Sequence, residues 1–388
     1  MQQPLRAHAH AWRILTRLSA GVFVPLALAA LLLSQASGAA RFPPTSDEVK
    51  LGAQAAKDLE SRYRLVTDPA MVDRITRIGE TLSRVVERQD LTYHFRILDV
   101  PVVNALSLPG GWVYVTRGMM RFVRTDHELA AVIAHELTHI NHRHYYIQEE
   151  RASHMTPALI LAAAISVLAH SAAPILGVQL AAQGAMSDYQ RDLEREADLT
   201  GITYLTKTPY SPVAMLTLME HLAQLERLSG QPDDLGIYQD HPKASERVAY
   251  IRDDLVHMKI PIVRRTAEGY LKISLDPASP AGDQPVTIRV DNEPVLTIGA
   301  GGNGQTPADR ATGIVARLNT FFNRDPAPFD PRVAAIQDRW SVVGGETVLF
   351  DVSPQDAAFA RMTPEALAQD FKIRLSRVIA AAPYNRKF

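Results

Sequence analysis

Five consecutive residues, His135-Glu136-Leu137-Thr138-His139, carry the strongest chemical signal in the chain. Imidazoles four residues apart on an α-helix lie about 40° apart around its axis and about 6 Å along it. The two rings then face one point in space, with Glu136 beside that point and not on it. Paired histidines of this kind supply half of a tetrahedral zinc site. The adjacent carboxylate is placed to take a proton from a zinc-held water. A surface helix with scattered histidines is the competing reading. Against it, Ala130-Ala131-Val132-Ile133-Ala134 is apolar, and burying two imidazoles and a carboxylate beside it is costly unless they bind something.

The motif needs a helix, and its flanks predict one from Thr125 to His144. Thr125-x-x-Glu128 has the form of a capping box, and Leu129, Val132, Ile133, Leu137 and Ile140 recur at helical spacing. Two histidines leave a catalytic zinc one protein ligand short. The chain has no cysteine, which excludes disulfides, thiolate metal sites and a cysteine nucleophile and leaves histidine and carboxylate as ligands. The extended pattern with glycine and then a third histidine after the second one is absent, because those places hold His142 and Tyr145. His142 and His144 sit too far along the same helix to close on the same ion, and are expected to face solvent or a carboxylate. A second helix, capped at Ser187 with Gln190, offers more. Glu194 and Asp198 are four apart and share a face, so Glu194 suits a third ligand and Asp198 an acceptor that orients a ligand histidine. Glu196 points about 200° away from Glu194. Spacing alone fits a solvated charge run equally well.

Several separated stretches, in order, resemble one family of zinc endopeptidases. They are Leu51-Gly52, Asn104-Ala105, Leu108-Pro109-Gly110-Gly111, Glu128 to Val132, His135-Glu136-x-x-His139 and Glu194-x-x-x-Asp198. The family is the gluzincin group of CAAX prenyl-protein proteases, HtpX and periplasmic BepA-type proteases, and the resemblance runs from about residue 46 to 255. It implies Glu194 as the third metal ligand, one Zn2+ per chain and hydrolysis of peptide bonds. Thr208-Pro209-Tyr210-Ser211-Pro212 departs from the family's Gly-Tyr-x-Pro, at a helix end away from the chemistry. His241-Pro242 with Arg247 resembles a further family element. It reads either as a helix start with a packing arginine or as a latch in which His241 occupies or guards the metal's open position.

Other segments frame the site. Residues 1–40 have the parts of an export signal: Arg6, Arg13 and Arg17, an apolar core from Leu18 to Leu33, and small residues from Ser37 to Ala40. A cleaved signal is favoured over an N-terminal anchor, and both place the rest outside the cytoplasm, in a periplasmic or similar compartment. Helices are expected from Asp47 to Tyr63 and Met71 to Val86, and strands at Tyr93 to Leu98 and Trp112 to Val115. Asn104, Pro109, Gly110 and Gly111 read as a hairpin, or as the sheet edge where an extended peptide adds as a strand. The segment from Pro157 to Ala182 is apolar enough to suggest a membrane span. A ligand downstream of it sharing the ion with His135 and His139 requires an even number of crossings. The segment is too short for two and is interrupted by Pro174, so a buried or membrane-surface hairpin is expected.

From about residue 261 the character changes. Loops rich in proline and glycine at 277–285 and 299–307 separate a hairpin (286–290 and 295–298), a helix (308–322), another hairpin around Gly344-Gly345, and a last helix capped by Thr363 before Pro364. Gly301, Gly302 and Gly304 lack the lysine and hydroxyl of a phosphate loop. The fold class expected is α+β: a signal at 1–40, a mainly helical zincin-type peptidase domain with a small sheet at 41–262, and a small α/β accessory domain at 263–388. A net charge of −1 without a basic cluster gives no sign of nucleic acid as a partner. The expected function is a zinc metalloendopeptidase acting on protein or peptide substrates, including unfolded envelope proteins, in envelope quality control. A metal-stabilised chaperone or binding module that cleaves nothing, and a membrane-embedded protease, are the alternatives.

Overall fold

A computed structural model describes residues 42–151, 176–229, 244–280, 282–299 and 304–383, with side chains of the second of these segments described from Arg191 onward. The export signal, most of the 157–182 hairpin and His241 lie outside the described residues. The chain divides after Glu48 into two units, and the second, Val49–Phe388, contains the hydrophobic cores.

Helix α1 (Thr45–Arg62) is followed by α2 (Pro69–Ser83), whose N-cap Asp68 accepts from the Met71 amide and whose Pro69 occupies the first turn. Three short strands come next: β1 (His94–Leu98), β2 (Ala105–Leu108) and β3 (Trp112–Thr116), ordered β1-β3-β2. β2 and β3 form an antiparallel hairpin, Ala105 opposite Val115 and Leu108 opposite Trp112, and β1 runs parallel to β3. The turn places Gly110 and Gly111 at φ 76° and 103°. A side chain at Gly52 would lie only 1.7 Å from the Pro109 carbonyl oxygen, so α1 packs on the turn only because it has glycine there, and one at Gly111 would lie 2.3 Å from the Thr92 carbonyl oxygen, so the lead-in to β1 needs that glycine too.

Helices α3 (Arg117–Phe122), α4 (Asp126–Asn141), α5 (His144–Arg151), α6 (Leu176–Thr206), α7 (Ala214–Ser229), α8 (Ala244–His257) and α9 (Arg264–Glu268) complete the first core. At its centre lies α4, packed against α6, α7, α2 and β2. Every residue from Glu128 to Thr138 is buried, as suits a helix with apolar residues on all sides and not one stripe. Leu129, Ile133 and Leu137 have no exposed surface, and each contributes about 1.5–3 kcal/mol by its burial.

Two helix boundaries beside the site differ from the sequence expectation. α4 stops at Asn141 instead of continuing to His144, because Arg143 adopts a left-handed backbone with φ 55°. α6 already runs from Leu176, so Ser187 lies within it and does not cap it. An alanine- and leucine-rich lead-in sustains the helix through a sequence that matches a cap by composition alone.

The second core begins at Tyr270, while Ala267 on α9 still belongs to the first. It is built from β4 (Ile273–Asp276), β5 (Val286–Val290), β6 (Glu293–Ile298), α10 (Pro307–Phe322), β7 (Pro331–Ile336), β8 (Arg339–Gly344), β9 (Thr347–Asp351), α11 (Pro354–Ala360) and α12 (Pro364–Ala381). Each half is a three-stranded antiparallel sheet, ordered β4-β5-β6 and β7-β8-β9. Sequence reading finds both hairpins and both long helices but not β4, β7 or α11. Proline punctuates the ends of β4 and β7, and α11 is one short helix behind a Ser353–Asp356 capping box. The architecture is α+β.

Candidate metal centre

α4 and α6 meet at Gly201, where an added side chain would lie 2.9 Å from Met215 Cε and 3.3 Å from the His135 backbone nitrogen. That close approach brings the acidic face of α6 onto the histidine face of α4. His135 Nε2 and His139 Nε2 are 3.1 Å apart, His135 Nε2 is 3.3 Å from Glu194 Oε2, and His139 Nε2 is 3.4 Å from Glu194 Oε1. Nitrogen and oxygen ligands about 2.0–2.2 Å from a tetrahedral zinc are separated by about 3.3–3.5 Å. The donor set therefore fits that ion in type and in spacing.

The surrounding charges favour a cation there as well. Burial alone would lower the His135 pKa, but the Glu194 and Asp198 carboxylates override it and raise the value to about 10. Asp198, itself fully buried, is held down at about 2 against its own desolvation by Arg247 and His135. His135 Nδ1–H donates to Asp198 Oδ1 over 3.0 Å, so that an ion displacing the second ring proton would meet Nε2 facing Glu194 and His139.

Arg247 and Tyr250 on α8 complete this second layer. Arg247 donates through Nε and Nη2 to the two Asp198 oxygens (2.9 and 2.6 Å), and its Nη1 lies 3.3 Å from Glu194 Oε2. Tyr250 Oη donates to Asp198 Oδ2 over 2.5 Å. Sequence reading assigns Arg247 either to packing or to a family element and gives Tyr250 no role. Their spacing of three, which puts both on one helical face, is the available signal. The sequence expectation for His144 is solvent or a carboxylate along α4. The turn at Arg143 folds it back, 1% exposed, so that Nε2 faces the Glu196 carboxylate at 3.6 Å while Nδ1 lies 2.9 Å from His139 Nδ1, a contact the sequence did not suggest.

Glu136 lines a pocket with His135, Asn104, Met119, Leu218 and Met219. Asn104 and Ala105 open the edge strand β2, so that end of the edge borders the pocket. Thr116 Oγ1 donates to the Asn104 carbonyl (2.9 Å) and pins the position. Pro109, Gly110 and Gly111 lie at the opposite end of β2, in the turn against α1. At the N-terminus of α4, Thr125 caps the Glu128 amide, but the Glu128 carboxylate does not return to Thr125. It accepts from the Arg124 amide (2.8 Å) and Thr217 (3.0 Å) and lies 3.0 Å from His221 Nδ1.

A buried helix bearing His-Glu-x-x-His, faced by a carboxylate from a second helix, is the arrangement that metallopeptidases use. Residues 69–254 match peptidase family M48, so the chain carries a domain of that family. Residues 285–382 match a domain of unknown function, DUF8459. The beta-barrel assembly-enhancing protease of Escherichia coli (strain K12) is 26% identical over 230 residues, 58% of this chain and 47% of that protein. Metalloprotease LoiP of the same organism is 28% identical over 229 residues, 58% of this chain and 86% of that protein. Mitochondrial metalloendopeptidase OMA1 of Schizosaccharomyces pombe is 25% identical over 232 residues, covering 58% and 65%. The chain spans about half the length of the beta-barrel assembly-enhancing protease it matches.

Proposed function

We propose that the chain is a zinc-dependent endopeptidase in which His135, His139 and Glu194 hold the ion and Glu136 is the general base. The observation that carries this reading is the set of three donor residues whose facing atoms lie 3.1–3.4 Å apart, with Glu136 lining the same pocket as His135. Bound there, zinc supplies a water of pKa about 7 and polarises the scissile carbonyl. Glu136 takes the proton from the attacking water and passes it to the leaving amine, so that one carboxylate serves both halves of the reaction. Asp198 fixes the His135 tautomer, and Arg247 balances the two buried carboxylates. An extended substrate pairs its main chain with the Asn104 end of β2, which orients the scissile bond across the pocket.

Substrates are proteins outside the cytoplasm, unfolded envelope proteins among them. The export pattern of residues 1–40 and the name of the beta-barrel assembly-enhancing protease support this. Among the described residues no helix is long and apolar enough to cross a membrane; membrane-surface contact through 157–182 belongs to the same reading. His241 is assigned as a latch on the open metal position. His241→Ala then raises hydrolysis of an unfolded protein, and equal or lower activity rejects the latch.

The test of the main reading is Glu136→Gln. The variant keeps one zinc per chain and loses roughly 10²–10⁴-fold in hydrolysis rate. Zinc-loaded Glu136→Gln with wild-type activity would remove the assigned base. Wild type that binds zinc and cleaves nothing would favour the binding-module alternative.

A further inference from the structure

A second cluster at the C-terminal end of α4 takes no part in this chemistry. His142 Nδ1 lies 2.6 Å from Glu196 Oε1, and His144 Nε2 lies 3.6 Å from Glu196 Oε2. One donor atom from each of His142, His144 and Glu196 falls within 4.8 Å of the others. The His144 side chain is 1% exposed, and its Nε2 has no hydrogen-bond partner among the described residues. A buried imidazole nitrogen aimed at a carboxylate just beyond hydrogen-bond reach is unusual, because such groups are normally satisfied. His142 and Glu196 are partly open to solvent, at 26% and 48%. An ion therefore reaches the cluster without passing through the first site.

We propose that His142, His144 and Glu196 form a second, weaker site for a divalent transition cation such as zinc, and that filling it antagonises the first. The antagonism rests on the catalytic reading of His135, His139 and Glu194; the second site itself does not. Coupling runs through one hydrogen bond. His139 Nδ1 and His144 Nδ1 are 2.9 Å apart, so only one of them carries a hydrogen between them. An ion on His139 Nε2 requires neutral His139 with its hydrogen on Nδ1, donated to His144 Nδ1. His144 then keeps its own hydrogen on Nε2, which has no lone pair to offer. An ion on His144 Nε2 reverses the pair. His144 donates from Nδ1, and the hydrogen of His139 moves to Nε2, closing that nitrogen to the first ion. Each ring keeps one hydrogen in both states, so no net proton is gained or lost. The left-handed turn at Arg143 creates this relay by folding His144 under His139.

Equilibrium dialysis of the full chain against zinc, with metal content measured directly, tests the proposal beside hydrolysis at one equivalent and at excess zinc. Wild type shows one tight ion and a weaker second class, and activity falls by roughly tenfold as the second class fills. His142→Ala and Glu196→Gln each lose the second class, keep the tight ion and their activity at one equivalent, and resist excess zinc. His135→Ala loses the tight ion but retains the second class, now bound more tightly than in wild type. No second class in wild type, or one unchanged in both cluster variants, overturns the site. Inhibition by excess zinc that persists in both variants overturns the antagonism. A wild type holding only the cluster's ion refutes the catalytic reading and the antagonism together, while upholding the second site.

Discussion

Each imidazole of the candidate metal centre has its two nitrogens in different surroundings. In His135, Nε2 faces Glu194 and His139 while Nδ1–H is fixed by Asp198, and Asp198 is in turn gripped by Arg247 and Tyr250. The Nδ1 contact governs Nε2, because a ring held in one tautomer presents its lone pair without reorganising. Asp198→Asn therefore lowers zinc affinity by about 10–100-fold while leaving Glu136 in place. A competition titration against a chelator reads this, and unchanged affinity would show that Asp198 serves packing only. The pairing of His135 with His139 was legible in the sequence, since four-residue spacing on a helix decides which side chains meet; Glu194 was singled out by the family resemblance, because spacing alone fitted a solvated charge run equally well. The network behind them was less so. Arg247 and Tyr250 come from a third helix, and nothing local in a sequence says which distant face a buried arginine will neutralise.

At the scale of elements, α4 is the axis on which the site depends, and its N-terminus is fastened by charge. His221 on α7 lies 3.0 Å from Glu128 and 3.3 Å from Glu268, and Arg124 lies 2.9 Å from Glu268. Burial lowers the His221 pKa, but its contacts with the two carboxylates more than offset that, so the value stands above the ordinary 6.5. A raised pKa in the folded state means that protonated His221 stabilises the fold. This contribution is fully present below pH 6.5 and fades as pH climbs through the folded-state value. The urea midpoint of His221→Gln should thus fall below wild type near pH 6, with the gap closing as pH rises. A gap constant with pH would mean that His221 is not protonated in the fold. Helix ends were the least legible feature of the sequence. Thr125 and Glu128 have capping-box types, yet tertiary partners recruit Glu128, and a left-handed Arg143, a conformation uncommon for arginine, ends α4 three residues early.

Across the whole molecule, the first core and the second core are joined through α9. Arg264 bridges Glu220 on α7 and Asp325 beyond α10, Arg265 donates to Asn319 and Asn323, and Thr125 Oγ1 donates to the Ala267 carbonyl. The N-cap of the histidine helix thereby shares a hydrogen bond with the connection to the second core. The change in composition near residue 261 was visible in the sequence; the joining contacts were not, because they pair side chains more than forty positions apart. The most direct test of the central claim is zinc-edge X-ray absorption on wild type loaded with one equivalent of the metal. Two imidazole nitrogens at about 2.0–2.1 Å and carboxylate or water oxygen at about 2.0–2.2 Å, with the imidazole signal lost in His135→Ala, are the expected result. A shell of oxygen alone, or an imidazole signal unchanged by that substitution, would contradict the account.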